Sequence, residues 1–287
     1  MACPDCFSGF ERTDSTPVGS ETTLYGLPTY VANPQGGADS AKGIIVIIAD
    51  IFGWQFVNNR LLADTYAAAG FRVYLPDFMA GRAAKIWVLE AVDRIVTPGK
   101  TWADTLGKPA AVFWAVVGAA SSLWFNWPSA SFPRVKGFFE KLRAEQQSAG
   151  PAGRGLKIGV AGFCWGGKHT LTLTQKEYGH LIDAAFTAHP SFLSLPGDIE
   201  KVRKPLAIAL GSKDNMVSVK QAQDAEKMLI KLGDEFPDEL KGKTEVKIYE
   251  GAGHGFSVRI DRVNEKQVEQ AKEAETQALS WFDRFLA

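Results

Sequence analysis

Apolar positions fall into short, unbroken runs separated by longer stretches in which they recur every three or four residues. Gly43-Ile-Ile-Val-Ile-Ile-Ala49 is β-branched and apolar at every position, as a strand buried on both faces must be. Phe71–Leu75, Leu156–Ala161, Ala184–Ala188, Leu206–Leu210 and Thr244–Tyr249 have the same strand length, and Leu24–Ala32 reads as an early edge strand. Between them lie helical patterns. One runs through Leu61, Leu62 and Tyr66 and stops at Gly70. Another, Val263–Phe285, sets Ala271, Ala274, Ala278, Phe282 and Phe285 on one face. Strands alternating with helices predict an α/β fold, a mostly parallel central sheet with helices on both faces.

The chain of 287 residues carries no internal repeat or charged linker, so one domain over 24–287 preceded by an extension over 1–23 is the simplest division. The stretch 82–134 is the least regular. It holds five of the eight tryptophans (Trp87, Trp102, Trp114, Trp124 and Trp127) and an almost uncharged run over 109–125. Such aromatics can serve as core and subunit contacts, as in a homodimer, or as a cap and pocket wall for an apolar substrate, and both can hold for different tryptophans.

Charge changes the picture by exclusion. Thirty-two basic residues balance 32 acidic ones, so no net field draws the chain to nucleic acid or anionic lipid. A small, apolar molecule fits better than a polyanion. No apolar run reaches the ~20 residues that span a bilayer, and the N-terminus lacks the basic and apolar regions of a secretory signal. Three cysteines, an odd number, fit a reducing compartment, and the expectation is a cytoplasmic protein. Cys3 and Cys6 have the spacing of half a zinc site or a redox pair, but no second Cys or His pair accompanies them and no βαβ unit follows immediately, so neither a metal nor a cofactor is expected.

The chemistry concentrates at three strand ends. Lys157–Phe163 runs into Gly162-Phe-Cys164-Trp-Gly-Gly167 and then a helical pattern from Lys168. This is a nucleophile elbow with cysteine in the usual serine place. Its glycines remove the Cβ atoms that a sharp strand–helix turn would crush. The helix N-terminus favours a thiolate, and the backbone N–H of Trp165 points where an oxyanion would form. About fifty residues on, one strand ends in Gly211-Ser-Lys-Asp214, and about forty further another ends in Gly251-Ala-Gly-His254-Gly-Phe256, the chain order of nucleophile, acid and base in this fold. Taken singly, each has a bland reading: a buried thiol, a turn aspartate, a loop histidine. Taken in order they predict a Cys164–His254–Asp214 triad. His189, at a strand end, either lines the site or is structural; His169 and His180 read as packing or surface residues.

These three motifs, with Asp50-Ile-Phe-Gly53 after the first buried strand, resemble the dienelactone hydrolase family of the α/β-hydrolase fold, over roughly Leu24 to the C-terminus. The N-terminal Cys3-Pro-Asp-Cys6 is similar to fungal members. The resemblance implies that Cys164 attacks a lactone, ester or thioester carbonyl to give an acyl-thioester, with the backbone N–H groups of Ile51 and Trp165 as oxyanion hole. It places Asp50 where bacterial members have a glutamate that interacts with the resting thiol; the shorter side chain either keeps that role or shapes the loop. Arg259 stands near the family's arginine for a substrate carboxylate. Phe52, Trp54, Arg82, His189 and Phe256 complete the candidate substrate-binding set. Two other classes compete with a hydrolase: a non-hydrolytic cyclase or isomerase using the same pocket on an apolar intermediate, and a binding protein with a vestigial site.

Overall fold

A computed structural model describes residues 9–89, 122, 124–148 and 155–287. Trp102, Trp114 and most of the 109–125 run, together with Cys3 and Cys6, lie outside the described residues. Strands β1 (Ser20–Leu24), β2 (Leu27–Ala32) and β3 (Ile44–Ile48) lead into helix α1 (Val57–Ala68) and β4 (Arg72–Pro76). Helix α2 (Pro128–Ser148) precedes β5 (Ile158–Phe163), α3 (Trp165–Thr174), β6 (Ala184–Ala188), the short α4 (Gly197–Glu200) and β7 (Leu206–Gly211). Then come α5 (Val219–Glu235), the short α6 (Pro237–Leu240), β8 (Thr244–Tyr249) and the closing α7 (Glu265–Leu286).

The eight strands among the described residues form one sheet in the order β1-β2-β4-β3-β5-β6-β7-β8. Pairing is parallel from β4 through β8 and antiparallel where β1 meets β2 and β2 meets β4. The expected single strand Leu24–Ala32 is instead a hairpin. Tyr25 and Gly26 both have positive φ, at 53° and 90°, the two-residue turn whose twist matches paired strands.

All five residues of β3 have no exposed surface, which is why its sequence shows no alternation. A Cβ added at Gly159 would strike Leu286 and Phe282 of α7, whereas one at Gly162 would strike Thr170 of α3. Odd and even positions of a strand face opposite ways, so α7 and α3 cover opposite faces of β5. Tyr66 of α1 meets Phe282 edge-on, which puts α1 on the face of α7. Because the chain runs from β3 to β4 on one side and returns to β5 on the other, the sheet has its switch point between β3 and β5. In open α/β sheets the crevice at the strand C-termini there is where ligands bind.

Candidate active site

Cys164 lies at that point, directly after β5 and before the first residue of α3. It has φ 51° and ψ −111°, a conformation that costs a non-glycine residue of order 1–3 kcal/mol and persists only when its surroundings enforce it. The surroundings are visible. A Cβ on Gly162 would lie 2.0 Å from Thr170 Oγ1, and one on Gly166 would lie 2.0 Å from the carbonyl oxygen of Ile48 in β3. The glycines of the motif let α3 press against the ends of β5 and β3, and this contact folds the turn back on itself. Cys164 is left buried, 1% exposed, at the N-terminus of α3.

The chain after β7 brings in Asp214 and the chain after β8 brings in His254. His254 Nδ1 is 2.9 Å and 3.1 Å from the two carboxylate oxygens of Asp214, and both side chains are fully buried. Asp214 Oδ1 also accepts the backbone N–H of Met216 at 2.8 Å, which fixes the carboxylate against its own loop. Burial alone would depress the His254 imidazole. The negative charge on Cys164, the hydrogen bonds to Asp214 and Cys164, and the Asp214 charge outweigh it and hold the ring up at about 9. The arrangement therefore suits a thiolate beside an imidazolium, with a carboxylate orienting the ring.

Ser191, three residues past the end of β6, joins this group. Its hydroxyl oxygen is 3.4 Å from Cys164 Sγ and 3.4 Å from His254 Nε2. Sequence patterning misses it, since nothing in Ala188-His-Pro-Ser191 marks a functional serine; its placement beside β5 is the only signal. His189 stands behind His254, ring centroids 5.0 Å apart, with Nε2 on Ser257 Oγ at 2.9 Å. Burial first, then the charges on His254 and Arg259, hold the His189 imidazole well below its ordinary range, so it is neutral. Phe256 packs edge-on against His189. His169 is likewise buried, under Trp165, and burial with Lys168 and Arg134 depresses it to about 3.

The remaining candidates form a second group. Asp50, directly after β3, pairs with Arg259, both side chains without exposed surface. Its other oxygen accepts Asn59 Nδ2 at 3.0 Å and the backbone N–H of Phe52 at 3.1 Å. The Arg259 guanidinium lies 5.5 Å from the Phe52 ring centre. Ile51 sits in the same loop, its carbonyl accepting Ala84 N–H at 2.9 Å. Trp54 and Arg82 are not brought to the thiol by these contacts. The Trp54 ring lies under the Arg60 guanidinium, and Arg82, exposed, stacks on Phe125 at 3.8 Å. Trp165 donates its indole N–H to the carbonyl of Asn126 at 2.7 Å, and Asn126 Nδ2 donates to the Arg82 carbonyl at 3.1 Å. The elbow is thus tied to both ends of the aromatic stretch. Trp87, Trp124 and Trp127 are 41%, 80% and 51% exposed. Residues 9–12 of the N-terminal extension dock on Asn58 and the Arg259 carbonyl. Among the described residues no helix is long and apolar enough to cross a membrane, and no three His, Cys, Asp or Glu side chains cluster as metal ligands would.

A parallel sheet with a strained residue between strand and helix at its switch point, faced by strand-end loops carrying a carboxylate and an imidazole, defines an α/β-hydrolase-fold protein. The dienelactone hydrolase family profile matches residues 27–286. The chain belongs to the dienelactone hydrolase family. Hydrolase tropI of Talaromyces stipitatus is 28% identical over 286 residues, covering 98% of this chain and 95% of that protein. Dienlactone hydrolase 1 of Gibberella moniliformis is 26% identical, covering 98% and 93%. Among solved structures, a putative dienelactone hydrolase from Klebsiella pneumoniae superposes with a TM-score of 0.55 at 20% identity, covering 93% of this chain and 99% of that one. A monoglyceride lipase from Saccharomyces cerevisiae gives 0.59 at 12%, covering 98% and 99%, a likeness of fold.

Proposed function

We propose that the protein hydrolyses a carboxylic ester or lactone through a Cys164–His254–Asp214 triad and an acyl-thioester. The observation that carries this reading is a strained, buried Cys164 at a helix N-terminus, charge-coupled to an imidazole that Asp214 orients at 2.9 Å. The names of several relatives support the ester or lactone class, among them the dienlactone hydrolase above and the carboxymethylenebutenolidase homologue of Xenopus tropicalis, 24% identical.

The thiolate adds to the carbonyl carbon, and the carbonyl π electrons move to oxygen. Backbone N–H groups of Trp165 and Ile51 hold that oxyanion. When the tetrahedral centre collapses, the C–O bond to the alcohol breaks and His254 gives its proton to the departing oxygen. A water then loses a proton to His254 and attacks the thioester. Collapse expels the thiolate and releases the acid, and the imidazolium re-forms. Arg259 is neutralised by Asp50, while Phe192, beside Ser191, meets the half-exposed Trp127 edge-on at 5.4 Å. Both features favour an uncharged, apolar substrate.

The test is hydrolysis of a short p-nitrophenyl ester, with iodoacetamide labelling of the thiol. Cys164→Ala and His254→Ala should each lower kcat/KM by about 10³-fold or more. Persistent turnover in both variants would remove the triad. A reactive thiol that cleaves no ester would transfer the site to non-hydrolytic chemistry.

A further inference from the structure

We infer that Ser191 is a fourth member of this site, a positioning residue whose hydroxyl holds Cys164 in its thiolate form before substrate arrives. The inference rests on the thiol reading above and adds to it a residue that strand-end motifs do not reveal.

The backbone builds the placement. Cys164 N–H donates to the Ala188 carbonyl at 3.3 Å, and Ser191 N–H donates to the Cys164 carbonyl at 2.9 Å, so the turn after β6 grips the nucleophile's peptide from both sides. The turn is itself forced: His189 and Phe192, flanking Pro190-Ser191, have φ of 39° and 61°. Its tip presses on the elbow, since a Cβ on Gly167 would lie 2.4 Å from Pro190 Cβ. Such strain persists where neighbouring structure over-determines a local geometry. Here the result is a serine with no exposed surface, its oxygen 3.4 Å from both Sγ and Nε2.

A hydroxyl offers one donor and two acceptor sites. Between a thiolate and an imidazolium it donates to the sulfur and accepts from Nε2–H, so both of its contacts favour the charged pair. Beside a neutral thiol and a neutral ring it loses the charged acceptor. The hydroxyl therefore discriminates between the two protonation states of the free enzyme. In the acyl-thioester the sulfur is no longer an anion, and the effect disappears.

The prediction is a shift in a pH profile rather than a uniform loss. The rate of iodoacetamide alkylation at Cys164, located by mass spectrometry, would be followed from pH 5 to 10 for wild type, Ser191→Ala, Ser191→Thr and His254→Ala, alongside kcat/KM for the ester. Losing a hydrogen bond to an anion should move the midpoint of Ser191→Ala up by about one pH unit. Its rate would fall about tenfold on the acid limb and stay within about twofold at high pH, with Ser191→Thr restoring the wild-type profile. Should alanine collapse the turn, as judged by circular dichroism, Ser191→Gly removes the hydroxyl without adding volume and must show the same shift. A Ser191→Ala profile that superimposes on wild type while His254→Ala is displaced would overturn the role of Ser191 and leave the triad standing. A wild-type thiol indifferent to His254 would overturn both.

Discussion

Asp214 and Asp50 have much in common. Each follows a parallel strand, β7 or β3, and is buried. Each accepts a backbone N–H two residues ahead, from Met216 or Phe52, and meets a base carried by the chain between β8 and α7. His254 and Arg259 stand five residues apart on that segment. The pairs differ in what the base can do. A guanidinium keeps its proton at any pH a folded protein meets, so Asp50–Arg259 is a fixed strut. Its remaining bonds, to Asn59 and to the Phe52 N–H, hold the loop that carries Ile51. The imidazole can pass its proton on, and its Nε2 edge meets Ser191 and Cys164. The same loop grammar thus yields a fixed ion pair on one flank of the thiol and, on the proposed mechanism, a proton carrier on the other.

The largest effect should come from Asp214→Asn, which keeps the packing but removes the charge and permits the wrong imidazole tautomer. On the triad reading kcat falls by about 10⁴-fold, near 5.5 kcal/mol of transition-state stabilisation, in a protein that is still folded at the assay temperature. Ester turnover and urea unfolding on the same preparation check it. A loss within tenfold would make Asp214 a loop residue like Asp50.

The mirror experiment is Arg259→Met. Removing one partner of a buried pair strands the other charge, so the variant should lose about 3–5 kcal/mol of stability in urea. Asp50→Asn combined with Arg259→Met removes both charges and should cost less than the sum of the single changes. Additive losses would show that the two side chains act independently and that the strut is not a unit.

The strand-end motifs are legible because each is local: a strand run, then glycines and one chemical residue at its end. The parallel sheet was legible for the same reason, as five fully buried positions of β3 leave no alternation to misread. The β1–β2 hairpin was not, since Tyr25-Gly26 lacks the Asn-Gly or Asp-Gly pairing that announces such turns. Asp50 and Arg259 each drew notice separately as substrate contacts, but 209 residues separate them, and no periodicity reports that they meet. Ser191 escaped for the same reason: its relevance is its distance from a sulfur on a neighbouring strand, which is tertiary information. The contacts of Trp54 with Arg60 and of Arg82 with Phe125 are likewise tertiary and leave no local mark in the sequence.

The smallest expected effect sharpens the comparison most, because it asks which base titrates. His254 should titrate at about 9, above the ordinary 6.5, with burial opposing the shift and the Cys164 charge as the largest contribution raising it. Since the folded value lies above the unfolded one, protonation of this ring stabilises the fold. That contribution is whole below about pH 6.5 and is lost as pH rises through about 9. Cys164→Ala deletes the anion but leaves the burial, so the His254 resonance in NMR should titrate at least about one unit lower, a change of roughly 1.4 kcal/mol. The fall in Tm between pH 6.5 and 9.5 should shrink with it. An unchanged titration in Cys164→Ala would mean that Asp214 alone sets the ring's charge, and the thiol and imidazole would not be the coupled pair that the mechanism requires.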